Sequence, residues 1–112
     1  MAYDEELAGR IRDLIEPGPA VTERKMFGGL SFLVDGNMAV AAGGDGGGLL
    51  VRVGPELRDR LVDDIAVRRA LMGDRDMAGW VRVTAAHIAD DAHLREWVTR
   101  GVEFARSLPS KS

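Results

Sequence analysis

The sequence predicts a two-layer α+β domain: a mainly antiparallel sheet of about five strands with helices on one face, in the order α-β-β-β-β-α-β-α. Three observations predict it. The middle of the chain carries short runs of alternating apolar residues, the two ends carry apolar residues spaced by three and four, and Asp35-Gly36-Asn37 is a strong hairpin signal between two of the runs.

Leu7, Ile11, Leu14 and Ile15 form one helical stripe, with Asp4 placed to cap its start, Glu5 and Glu6 placed against the N-terminal dipole, and Pro17-Gly18-Pro19 as its stop. Val21 to Phe27 follows as a strand, and Gly28-Gly29 permits a sharp bend or bulge anchored by Met26 and Phe27. Leu30 to Val34 is the second strand. After a turn in which Gly36 supplies a positive φ, Met38 to Ala42 returns beside it. The glycine stretch Gly43 to Gly48 then connects to Leu49-Leu50-Val51-Arg52-Val53, completing a four-stranded meander. Gly54-Pro55-Glu56 opens a helix with proline at the favoured first position and Leu57, Leu61 and Val62 as its stripe, and Ile65 to Met72 reads as a short helical extension. Gly79 to Val83 is the last strand. Thr84 to Ala89 leads into a final helix capped by Asp90 or Asp91, stopped by Pro109, and burying Leu94, Trp97, Val98, Gly101, Ala105 and Leu108.

Composition bounds what such a chain can do. Its 112 residues suit one domain, expected over 1–112, and with 46% apolar and 29% charged residues it can bury a core. Cysteine is absent, which removes disulfides, thiol nucleophiles and thiolate metal sites. The acidic start lacks the pattern of a secretory signal, and no apolar run approaches the ~18 residues of a membrane span, so a cytoplasmic protein with no membrane partner is expected.

Strand parity sorts the sheet residues. With one face on the core, Leu30, Phe32, Val34, Leu49, Val51, Val53, Val81 and Val83 point inward, and Leu33, Leu50, Arg52, Trp80 and Arg82 point outward. Tryptophan and arginine are favoured at the centres of protein interfaces, so this outward set is the expected interaction surface, for an unidentified protein partner or a second copy in a homodimer. The competing arrangement has the chain's own Ile65 to Met77 covering the same face. An alternative function is nucleic-acid binding, with Arg24-Lys25, Arg52 and Arg82 gathered beside a stacking Trp80. A formal net charge of -3 opposes it, because phosphate attraction supplies most nonspecific affinity.

Catalytic and ligand-binding patterns are weak. The run Gly43-Gly44-Asp45-Gly46-Gly47-Gly48 resembles a phosphate cradle, yet no Lys-Ser/Thr follows it and a strand, not a helix, comes next. His87 and His93, with Asp90 and Asp91 between them, could be imagined as a metal site, but the two aspartates have a simpler role at a helix start. Ser31, Ser107 and Ser110 lie in no nucleophile motif, and the carboxylates Asp63-Asp64, Asp74, Asp76 and Asp90-Asp91 fall at turns and helix ends. No catalytic residue, cofactor or metal is therefore expected.

Lys25-Met26-Phe27-Gly28-Gly29-Leu30-Ser31-Phe32-Leu33, followed by Asp35-Gly36-Asn37-Met38-Ala39, resembles the N-terminal domain of TfoX-type (Sxy-type) competence regulators and their stand-alone relatives. The resemblance continues at Leu50-Val51-Arg52-Val53-Gly54, at Met77-Ala78-Gly79-Trp80-Val81-Arg82-Val83 and at Leu94-Arg95-Glu96-Trp97-Val98. It implies a small α+β fold like that of secretion chaperones, no cofactor, and a link to transcriptional control of DNA-uptake genes exercised through protein partners.

Overall fold

Among the described residues, three of the four helix starts are capped by a side chain. In the computed structural model, which describes residues 4–15, 21–26, 29–43, 48–72 and 75–109, Asp4 caps α1 (Glu5–Leu14) by accepting from the Leu7 amide at 3.0 Å. Gly54 and Pro55 open α2 (Pro55–Leu61), with Gly54 at φ 90 and proline in the first turn. Asp90, not Asp91, caps α4 (Asp91–Ser107), accepting from Ala92 at 2.8 Å and His93 at 3.4 Å. Thr84 caps a short helix, α3 (Ala85–Ile88), where only a connection was expected, and Ile88 is buried beneath it.

The strands are β1 (Val21–Met26), β2 (Gly29–Val34), β3 (Asn37–Ala42), β4 (Leu49–Arg52), β5 (Val67–Met72) and β6 (Arg75–Val83). They form one sheet in the order β1-β2-β3-β4-β6-β5, with every neighbouring pair antiparallel. Asp35 and Gly36 both take positive φ, 53 and 81, which is the twist a two-residue hairpin needs between β2 and β3. Asn37 is buried there, and its amide donates to the Pro109 carbonyl at 2.9 Å, tying the turn to the end of α4. At Gly29 a side chain would run into the Ala42 carbonyl of the neighbouring strand; Phe27 and Gly28 lie outside the described residues.

α4 packs on β2, β3 and β4, α1 packs on β3 and α4, and α2 packs on β6, so the helices form one layer. All eight residues assigned inward by parity lie in the main core, joined by Leu7, Ile11, Leu94, Trp97 and Val98 from the helices. Val102 adds to the expected buried face of α4, whereas Leu108 is only half-buried at the helix cap. Leu57, expected in the stripe of α2, is exposed.

Two expectations are corrected. The sheet has six strands instead of about five, and Ile65 to Met72 is not helical, because Val67–Met72 forms the edge strand β5. The apolar spacing Val67, Ala70, Leu71 suits a helix, but Asp63 diverts the backbone first. Its Oδ1 accepts from the amides of Ile65, Ala66 and Val67 at 2.8 to 2.9 Å, and Asp64 turns the chain with a φ of 62. β6 is correspondingly longer than the expected Gly79 to Val83.

Asp63 and Asp90 thus share one electrostatic state. Backbone N–H groups of Val67 and Ile65 hold the Asp63 carboxyl below its ordinary range, and those of Ala92 and His93 do the same for Asp90. A carboxyl lowered on folding contributes stability above its unfolded value, near 4, and loses it as pH falls through the lower folded value. The wild-type urea midpoint should therefore fall more steeply below about pH 4 than that of an Asp63→Asn/Asp90→Asn variant. Parallel curves from pH 6 to 2 would contradict this.

Candidate functional site

The outer side of the sheet, opposite the helices, is not open across β3, β4 and β6. Ala41, Leu50, Ala70 and Trp80 form a second apolar cluster there, with Met38 and Met77 packed against it. Its origin is an irregularity in the terminal hairpin. Between the pairs Arg69–Val81 and Leu71–Asp76, β5 spends one residue, Ala70, and β6 spends four, Met77 to Trp80. Such an excess kinks a strand. Gly79, inside it, takes φ 85 and its carbonyl accepts from the amides of Val53 and Gly54 at 2.9 and 3.0 Å, fixing the kink against the end of β4.

The expected surface is corrected accordingly. Leu33, Leu50 and Trp80 are only 6%, 5% and 7% exposed, and Leu50 and Trp80 supply internal packing on the face where parity placed them. The competing arrangement for Ile65 to Met77 holds in part, since Ala70 and Met77 come from that segment. Arg82 is half-buried, paired across the strands with Leu50 and Arg68. Arg52 turns to the helix layer, where its guanidinium lies 5.5 Å from the centre of the Phe104 ring on α4.

The same geometry disperses the other expected cluster. Arg24 lies on β1 opposite Ser31 of β2, three intervening strands away from Arg82, which at about 4.8 Å per strand spacing is roughly 19 Å. Lys25 pairs with Leu30 and so takes the other face from Arg24. Trp80 is too buried to offer a stacking platform.

Most groups with chemical potential have local partners, the buried Ser31 hydroxyl being an exception. His87 and His93 stack with ring centres 4.0 Å apart and planes 5° from parallel, and His93 Nδ1 lies 3.0 Å from the His87 carbonyl oxygen. Stacked rings keep their nitrogen lone pairs in separate parallel planes that do not meet at one point, and among the described residues no three His, Asp or Glu side chains gather as metal ligands. Ser107 Oγ donates to the Phe104 carbonyl at 2.6 Å, and Ser31 is fully buried on β2. Ser110, Asp74 and the centre of the glycine stretch lie outside the described residues, but Gly43 and Gly48 close that stretch with a 3.0 Å backbone bond.

What remains available is a margin. The described residues expose three large apolar side chains, and two of them, Ile65 at 76% and Leu71 at 53%, flank or lie on β5. Between them stand Arg68 and Arg69, both exposed and without an ion-pair partner among the described residues. The opposite margin, β1, differs: it carries both signs of charge, and Glu23 is held in a two-pronged pair with Arg12 of α1 at 2.6 and 2.7 Å. That pairing, chiefly the Arg12 hydrogen bond, also holds the Glu23 carboxyl below its ordinary range. Sequence reasoning missed the β5 margin because a helical reading of 65–72 makes no edge.

These features define a class: a two-layer α+β domain whose sheet ends in two margins and whose second face is filled by its own hairpin. Residues 13–105 match the TfoX N-terminal domain family, and the chain belongs to that family. The TfoX N-terminal domain family is not a known enzyme family. No curated protein and no solved structure shows significant similarity to the chain. Among the described residues, no helix is long and apolar enough to cross a membrane.

Proposed function

We propose that the chain is a non-enzymatic, cytoplasmic protein-interaction domain that regulates through a protein partner held along the β5 margin. One observation carries the choice of surface: Ile65 and Leu71 stand exposed on either side of Arg68 and Arg69 along the edge strand β5. Burying a leucine or isoleucine fully contributes about 1.5 to 3 kcal/mol before association costs, enough for these two to act as anchors.

Capture from the native cytoplasm with wild-type chain and with an Ile65→Ser/Leu71→Ser variant tests the proposal. The variant should keep its unfolding free energy within about 1 kcal/mol, because both side chains are already largely solvated, and should lose the proteins the wild type retains. Identical captured sets would refute it.

A further inference from the structure

We infer that the β5 margin accepts an acidic, extended segment of a partner as a seventh strand; this rests on the protein-interaction role just proposed and specifies the partner's chemistry.

The backbone sets the geometry. The Ala66 carbonyl accepts from Thr84, facing β6, so alternation turns the polar groups of Val67 outward, those of Arg68 back to β6, and those of Arg69 outward again. The groups of Val67 bear this out. Its amide donates to Asp63 Oδ1 at 2.9 Å, and its carbonyl accepts from the amides of Asp63 and Asp64 at 2.9 and 3.0 Å. Among the described residues, the edge is therefore plugged at Val67, and Arg69 is the next position whose backbone groups face outward. The strand excess beside it lies in β6, which leaves the outer edge of β5 without an inserted residue.

Charge selects the occupant. Arg68 and Arg69 are consecutive, so one stands on each face of the sheet. A second copy paired through the same edge would bring these arginines against their own counterparts, and like charges opposed across strands repel. An incoming strand with carboxylates at neighbouring positions meets both arginines, while apolar residues beyond them reach Ile65 and Leu71. Single-sign charge thus guards the edge against self-pairing and admits an acidic strand.

The test uses the full chain and a displayed library of random twelve-residue peptides, with selected peptides remade and their binding measured by fluorescence anisotropy. Enriched sequences should carry adjacent acidic residues, and affinity should drop at least about tenfold in Arg68→Glu/Arg69→Glu and weaken with salt. Arg69→Pro, which removes one outward amide at a position an edge strand tolerates, should abolish binding with the fold intact, and exchange of the Arg69 amide should slow on binding. Binders that depend on Leu71 but not on the arginines or the Arg69 amide would overturn strand addition while leaving the interaction surface standing. Binders indifferent to Leu71, Arg68 and Arg69 alike, or no binders, would overturn both. A dimer seen by light scattering and lost in Arg69→Pro would identify the occupant as a second copy and overturn the acidic partner.

Discussion

Trp80→Ala is expected to destabilise the domain by about 3 to 5 kcal/mol, the cost of removing a buried indole and leaving its cavity. Domains of this size hold only about 5 to 15 kcal/mol in total, so the melting temperature should fall by more than roughly 10 °C. The expectation follows from burial, since Trp80 packs with Ala41, Leu50 and Ala70 and is 7% exposed. An anchor kept free for a partner would behave differently: its removal would weaken a complex and leave unfolding almost unchanged. Thermal and urea unfolding of the isolated variant separates the two. A wild-type midpoint would restore the outer face as a docking surface and undo its account as internal packing.

Gly101→Val should be comparably severe, for the opposite reason of excess volume. A β-carbon at Gly101 would lie 2.6 Å from both the Ala39 carbonyl oxygen and Val40 Cγ1, so the bare backbone lets α4 settle onto β3. Overpacking a tight contact typically costs about 1 to 3 kcal/mol for small additions, and valine adds two further methyls against backbone that cannot rotate away. A loss above about 3 kcal/mol is expected, and Gly101→Ala should still lose stability despite alanine's helix-propensity advantage of about 1 kcal/mol. Gly9 of α1 supplies the control, because nothing lies within 4 Å of its would-be β-carbon. There alanine should gain up to about 1 kcal/mol. Equal responses at the two glycines, read from urea midpoints, would mean that helix and sheet are not in close contact at Gly101.

The contrast between Trp80 and the proposed margin shows how far the chain could be read without coordinates. Alternation placed Leu50 and Trp80 on the same side of the sheet, away from the main core, and the structure keeps them there. Side, however, is a local property, whereas exposure depends on what arrives from elsewhere in the chain. Ala70 and Met77 reach Trp80 only because β6 spends four residues where β5 spends one. No residue pattern announces that kink except Gly79, which also suits an ordinary strand start. Arg52 departs from its expected face by the same logic, drawn to a ring 52 positions along the chain. The β5 margin was hidden by one side chain: Asp63 captures three amides in sequence, a choice that competes with the helix its neighbours otherwise favour.

The amino-acid sequence by itself determined the fold class, the inward residues, the Asp35-Gly36 hairpin, the helix starts at Asp4 and Pro55, and membership of the TfoX N-terminal domain family. These depend on periodicity and turn chemistry within a few neighbouring residues, which a linear chain displays directly. Only the tertiary structure decided that the outer face closes on itself, that β6 lies between β4 and β5, and that an arginine-bearing edge is left for contact. Those outcomes depend on which distant strands pair and in what register, and pairing free energy is set by packing between segments that carry no mark of each other in sequence.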